Sequence, residues 1–207
     1  MKVIQQPLGP VQANCYLVME NHHALIIDPA DILPNLDEIL NQNDCTLDAI
    51  VLTHAHFDHI SGVDKIVNKF GCDVYLNPNE FDFLLDPNLN SSSAFYMDVT
   101  CNANAKPLIE GKNEIAGFEV EAIYCPGHSI GSTVLKIEDC LFTGDVLFQC
   151  SIGRMDLATG SVTSMKQSLK KLYQFNKDYK VYPGHGPTTS LSQEKKWNES
   201  LKYAEIY

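Results

Sequence analysis

The feature that most constrains this chain is Thr53-His54-Ala55-His56-Phe57-Asp58-His59, directly after the apolar run Ala49-Ile50-Val51-Leu52. Four side chains able to ligate a metal fall within six residues, and imidazole nitrogens with a carboxylate are usual donors for zinc, iron or manganese. Residues i and i+2 of an extended segment project to the same side, so His54 and His56 reach one ion together. Asp58 and His59 are adjacent, so the chain must turn before both serve a second target. Ser61, with Asp64 three residues on, resembles a capping box, which predicts a helix beginning just past His59. A polar turn rich in histidine is the alternative, and distant ligands decide between the two, because three or four protein donors are expected per ion.

Distant candidates exist. Pro126-Gly127-His128 and Pro183-Gly184-His185 share one context, each after an apolar run, and Phe142-Thr143-Gly144-Asp145 ends another. With these residues the chain resembles the metallo-β-lactamase-fold hydrolase superfamily, whose pattern is His-x-His-x-Asp-His, then a distant His, a distant Asp and a distant His. Order and spacing match across nearly the whole chain. The resemblance implies an α/β fold, an αββα sandwich of two mixed β-sheets flanked by helices, where sequence pattern alone gives only a mixed α/β domain. It also implies a binuclear site: His54, His56 and His128 on one metal, Asp58, His59 and His185 on the other, and Asp145 bridging them. The implied cofactors are two divalent ions, zinc in first place with iron or manganese as alternatives. His22 and His23 are left as surface or turn residues.

Two cations roughly 3.5 Å apart lower the pKa of a held water from about 15.7 toward neutrality. The expected reaction is attack of the resulting hydroxide on a carbonyl, with Asp58 the group nearest to it. Within the superfamily the details resemble the short glyoxalase II-like (hydroxyacylglutathione hydrolase-like) branch. Asp145 separates the chain from the lactamases that place cysteine there. Ser151-Ile152-Gly153-Arg154-Met155-Asp156 resembles the Gly-Arg-x-Asp segment of short glyoxalase II-like hydrolases and of persulfide dioxygenases. Met155-Asp156-Leu157 replaces the aromatic-acidic sequence of full-length glyoxalase II, and Ser129-Ile130 replaces Thr-Pro after the distant histidine. The resemblance stops one helix beyond His185, short of the C-terminal helical domain that helps grip glutathione, so it leaves the thiol open.

The expected substrate is therefore a small thioester or related ester. A mononuclear-iron persulfide dioxygenase using His54, His128 and Asp145, a phosphodiesterase and a structural zinc protein are the competing readings. Arg154 is the one arginine among 15 basic residues, and its fork of donors suits a substrate carboxylate. Pairing with Asp156 to hold the loop is its other reading.

The 207 residues, 44% hydrophobic and 20% charged, fit one globular domain spanning 1–207. A net charge of −11 disfavours nucleic acid and anionic membranes, both of which need a basic field. No apolar run approaches the ~20 residues of a bilayer span, and the first ten residues lack a signal core. Seven cysteines without a Cys-x-x-Cys pair read as reduced thiols. A cytoplasmic monomer or homodimer acting on a small molecule is the expectation.

Strands are predicted at 1–3, 14–19, 24–29, 49–53, 73–76, 134–137, 140–143 and 179–182, and one at 115–125 alternating about Gly117. Helices are predicted at 34–42, 61–70, 80–85, 161–173 and 190–207, the last with Trp197, Leu201 and Ala204 on one face. The Asn-, Ser- and Pro-rich stretch 86–107 reads either as a lid or as a surface insertion.

Overall fold

The central strands are apolar on alternate residues of both faces because each sheet is covered twice, once by the other sheet and once by helices. The computed structural model describes residues 1–206, with side chains through Tyr203. The first sheet runs in the order β1 (Lys2–Leu8), β2 (Ala13–Glu20), β3 (His23–Ile27), β4 (Thr46–Val51), β5 (Asp73–Leu76), β6 (Ala105–Pro107). Its first three strands are antiparallel and β3 to β6 are parallel. The next elements are β7 (Gly111–Ile115), β8 (Phe118–Tyr124), β9 (Thr133–Ile137), β10 (Cys140–Gly144), a small hairpin of β11 (Leu147–Phe148) and β12 (Ser151–Ile152), then β13 (Lys180–Pro183) and β14 (Thr189–Ser190). The second sheet has the order β14-β13-β10-β9-β8-β7, with β10 and β13 parallel and its other pairs antiparallel.

Between the sheets, Tyr16, Val18, Leu25, Ile27 and Val51 meet Val120, Leu135, Ile137 and Phe142. Their sequence neighbours Leu17, Met19, Ile26, Ile50 and Leu52 face the other way. They lie under α1 (Leu36–Gln42), the short α2 (Phe57–Ile60) and α3 (Val63–Phe70) through Leu36, Leu40, Ile60, Val63 and Ile66. Val134, Leu141 and Val181 are covered by α4 (Val162–Tyr173), α5 (Leu191–Trp197) and α6 (Glu199–Ile206) through Met165, Leu169, Leu172, Leu191 and Leu201. Each fully buried side chain of this size contributes about 1.5–3 kcal/mol. Strands buried on both faces read as continuous apolar runs. The expected αββα sandwich of two mixed sheets is the observed fold.

Several boundaries differ from expectation. No capping box starts a helix at Ser61: α2 begins inside the motif at Phe57, and Ser61 Oγ donates back to the Phe57 carbonyl at 2.5 Å. Asp64 instead accepts from the Asn102 amide. The strand expected at 115–125 is a hairpin, since Ala116 (φ 51°) and Gly117 (φ 81°) form a left-handed two-residue turn. The first strand extends through Pro7 to Leu8, on the sheet edge where a missing donor is tolerated. The closing helix is two helices, broken at Asn198 (ψ 108°), whose side-chain amide donates to the Ser151 carbonyl and Glu194 Oε2. Leu201 is buried as expected, but Trp197 is 62% exposed, and the Ala204 side chain lies outside the described residues. The stretch 86–107 holds a 3-10 turn, Ser92–Phe95, and ends in β6. Among the described residues no helix is long and apolar enough to cross a membrane.

Candidate metal centre

The first ligand loop leaves β4 and is fixed at once by Asp28, which ends β3. Asp28 Oδ1 accepts from the Thr53 amide at 2.8 Å and Oδ2 from the Thr53 hydroxyl at 2.6 Å. Asp28 itself has φ 52°, a left-handed conformation that Asp tolerates better than most residues. The loop then turns into α2, so Asp58 and His59 sit on one helical turn. The loop 126–132 brings His128 from the second sheet, and the Thr133 amide donates to the Thr53 carbonyl at 2.8 Å, joining the two sheets at the site. His185 follows β13. Its loop is held from the first sheet: the Tyr16 hydroxyl donates to the Pro183 carbonyl at 2.6 Å, and Asn14 Nδ2 to the carbonyls of Pro183 and Gly186.

All seven expected ligands converge. His54, His56 and His128 bring donor atoms within 4.8 Å of one another, and so do Asp58, His59 and His185. Asp145 lies between the two groups, with Oδ2 3.4 Å from His128 Nε2 and 3.6 Å from His185 Nε2, and Oδ1 3.5 Å from His59 Nε2. Gly184 permits this approach, since a Cβ there would stand 2.2 Å from Asp145 Oδ1. Asp58 Oδ2 is 3.2 Å from His185 Nε2. A third grouping joins Asp28 with His54 and His59, but the Asp28 oxygens are already taken by Thr53, so it orients ligands rather than adding one.

Hydrogen bonds select the lone pair that each ring offers. The single Thr53 hydroxyl proton goes to Asp28, so at 3.1 Å His54 Nδ1 must be the donor to Thr53 Oγ1, which leaves Nε2 bare. His128 Nδ1 faces the Arg154 carbonyl at 2.7 Å and must carry a proton, leaving its Nε2 to accept from His56 Nδ1 at 2.8 Å. His59 Nδ1 is 3.1 Å from Asp28 Oδ2, close enough for an ion pair though not aligned as a hydrogen bond. His54 Nε2, His59 Nε2 and Asp145 Oδ1 are buried without hydrogen-bond partners. Unpartnered buried polar atoms are rare. Their convergence in a set of imidazoles and carboxylates fits two divalent ions of the zinc, iron or manganese kind.

The two groups differ electrostatically. Burial and the neighbouring imidazoles push His54 well below its ordinary value, and burial with His128 takes His56 down to about 3. These rings are neutral and ready to coordinate. Burial also opposes charge on His59, but Asp58, Asp28 and Asp145 outweigh it and raise the ring to about 10. Burial resists ionisation of Asp58, yet His59 and His185 hold its carboxyl well below the usual carboxylate range.

Sequence reasoning missed the residues that orient the ligands. Asp28 carried a weak signal, a carboxylate ending a buried strand. Glu80 carried none: its side chain is fully buried and accepts from the amides of Ala55 and Gly131.

The site opens into a cleft of about 450 Å³ whose apolar walls include Val11, Phe57, Phe95, Phe148, Ile152 and Leu157. Phe95, from the 86–107 stretch, packs on Phe57 with centroids 5.1 Å apart, so this stretch forms a wall of the cleft. Arg154 lines the same cleft, and its guanidinium is paired with Asp156 through Nε to Oδ1 at 2.6 Å and Nη2 to Oδ2 at 2.8 Å.

Residues 8–185 match the family model of the metallo-beta-lactamase superfamily. The chain is 39% identical over 207 residues to the probable metallo-hydrolase YqgX of Bacillus subtilis, covering 97% of this chain and 98% of that one. It is 30% identical to the hydroxyacylglutathione hydrolase GloC of Haemophilus influenzae, with 94% and 95% covered. Among solved structures it is similar to the B3 metallo-beta-lactamase BLEG-1 (TM-score 0.90, 39% identity, 97% and 99% covered). It is also similar to TTHA1623 in a di-iron-bound form (TM-score 0.83, 34% identity, 94% and 98% covered). With this fold, this order of His and Asp residues and these relatives, the chain belongs to the metallo-β-lactamase superfamily, as a metallo-hydrolase with a His/Asp site for two metals.

Proposed function

We propose that the protein hydrolyses small thioesters at a binuclear centre. The observation that carries this reading is the pair of three-residue ligand groups with Asp145 between them at the floor of an apolar-walled cleft. His54, His56 and His128 would hold one ion, Asp58, His59 and His185 the other, and Asp145 both. Zinc is our first choice, with iron and manganese as alternatives. Two divalent ions there supply a Lewis acid for the carbonyl oxygen and lower the pKa of attacking water.

The chain's own residues do the rest. Asp58 remains ionised at neutral pH, so it would serve as a ligand and orient the attacking water by accepting its hydrogen bond. Thr53 and the Arg154 carbonyl hold His54 and His128 in the tautomers that keep each Nε2 unprotonated. The walls of Phe57, Phe95, Phe148 and Leu157 suit an apolar portion of the substrate and exclude water from it. Arg154 at the rim suits an acidic group on the acyl or thiol part. The likeness to GloC supports a thioester, and hydroxyacylglutathione, the substrate in that enzyme's name, is one candidate. The likeness to BLEG-1 supports a second reading, opening of a β-lactam ring, which is also water attack on a carbonyl.

Elemental analysis of protein purified without added metal, followed by a hydrolysis screen, tests the proposal. Two first-row metals per chain with turnover of thioesters is the expected result. One iron per chain with oxygen consumption on a persulfide, or turnover confined to β-lactams, would overturn it.

A further inference from the structure

Glu80 lies on the 3-10 turn Pro78–Leu84, 0% exposed, and touches neither the cleft nor a ligand. Its Oε2 accepts from the Ala55 amide at 2.6 Å, and its Oε1 accepts from the Gly131 amide at 2.8 Å and from the Ser129 hydroxyl. Ala55 stands between His54 and His56, and Ser129 follows His128. One carboxylate thus grips two loops, from different sheets, each one residue from a ligand. Gly131 is part of the fit, because a Cβ there would stand 2.7 Å from Glu80 Cγ. Asn77, which caps the turn, donates to the Gly131 carbonyl at 3.0 Å and ties the turn to the same loop.

A buried carboxylate is a costly way to fill space. Burial pushes the Glu80 carboxyl up, against three donors that pull it down, and an apolar side chain would fill the volume without that penalty. An apolar side chain would not fix the distance between two loops. We propose that Glu80 is a positioning residue for the first metal site, clamping the His54–His56 loop to the His128 loop so that three ring nitrogens converge on one ion. This rests on the binuclear reading above.

Glu80→Gln tests it. The Ala55 and Gly131 amides can only donate, so whichever way the new side-chain amide turns, its NH2 faces one of them. One of the two backbone contacts that join the loops is lost while the volume is kept. The variant is made in a His185→Ala background, which leaves the first site as the intact one, and zinc affinity is measured by competition with a chromophoric chelator. Zinc binding is expected to weaken by roughly ten- to a hundredfold, as for other residues that orient ligands. A weakening of less than about fivefold in a folded variant overturns the proposal, whatever happens to the metal-free melting temperature, because a purely structural residue moves that temperature and leaves the affinity alone. Should Glu80→Gln not fold, Ser129→Ala removes one of the three donors, and an affinity unchanged from the parent overturns the clamp. If the His185→Ala parent itself binds no zinc, the binuclear reading has failed first, and the clamp with it.

Discussion

Replacing Asp28 by asparagine changes one atom of the side chain and, through Thr53, the proton on His54. The Thr53 amide can only donate, so the new side chain must keep its oxygen at the Oδ1 position, 2.8 Å from that nitrogen. The NH2 then replaces Oδ2 and points at Thr53 Oγ1, 2.6 Å away, as a second donor facing a donor. The hydroxyl responds by turning its only proton to His54 Nδ1, at 3.1 Å. A neutral His54 must then carry its proton on Nε2, the nitrogen that should face the ion. His59 loses its closest carboxylate in the same step. The change removes a hydrogen bond to a charged acceptor, about 1.5–3 kcal/mol. At about 1.4 kcal/mol per factor of ten, first-site zinc affinity should fall roughly 10- to 100-fold. Chelator competition measures the affinity, and long-range 1H–15N spectra of the metal-free protein report which His54 nitrogen is protonated. A folded Asp28→Asn protein that keeps Nδ1-protonated His54 and binds zinc within about twofold of the parent would show that Asp28 does not set the His54 tautomer.

Asp58→Asn should keep the fold and lose roughly 10²-fold or more in kcat, because a carboxamide is a poor ligand and no base; near-parental turnover in a fully metallated variant counts against the role given to Asp58. Arg154→Lys should raise KM for acidic thioesters and spare neutral ones. Its melting temperature should hardly move, since the pair with Asp156 is exposed and the backbone carbonyl that orients His128 remains. Equal losses on both substrate types with a lower melting temperature would leave Arg154 only its pairing role. In the metal-free protein the folded state raises His59 to about 10, so its contribution is fully present below the unfolded value near 6.5 and is lost as pH rises through about 10. Asp58, depressed on folding, acts in the opposite sense, losing its contribution as pH falls below the ordinary carboxylate value. His54 and His56, depressed by burial, charge in the unfolded chain below about pH 6.5 and cost stability there, so urea midpoints without metal should be highest near pH 6.5 and fall toward both pH 4 and pH 10; a flat profile from pH 6.5 to 10 would remove the ion pair from the account.

The sheets were legible because strands covered on both faces must be apolar throughout, as in Ala24-Leu25-Ile26-Ile27 and Ala49-Ile50-Val51-Leu52. Element ends were less so, because they depend on contacts remote in sequence. The helical period runs unbroken through 190–207, and nothing local marks Asn198 as the break. Its amide is drawn to the Ser151 carbonyl 47 residues away, and the chain turns there, leaving Trp197 in solvent. The 115–125 stretch shows the reverse error. The two-residue turn at Ala116-Gly117 shifts the inward positions from odd numbers (Ile115) to even ones (Phe118, Val120, Ala122), but Gly117 is the one local mark of the turn, and the apolar stretch on either side of it reads as a single strand.

The ligands and the residues that orient them differ in legibility for a physical reason. A ligand is recognisable by type and spacing, because the ion demands particular donors and a strand end must present them. An orienting residue is defined only by its partner: Asp28 by Thr53, 25 positions on, and Glu80 by Gly131, 51 positions on. Both are carboxylates with little or no exposure, which a core excludes unless donors surround them. In each case those donors are backbone groups or hydroxyls beside a ligand. Asp28 thus fixes the first sheet's own ligand loop, and Glu80 marks where the two sheets must be held in register for imidazoles from both to meet. His54 and His56 come from the first sheet and His128 from the second, so a shift between sheets of even an ångström would separate nitrogens now 2.8 Å apart. Apolar packing is too nondirectional to prevent such a shift. The hydrogen bonds that cross the seam, from Ser129 and Gly131 to Glu80, from Thr133 to Thr53, and from Asn14 and Tyr16 to the Pro183 carbonyl, supply the direction.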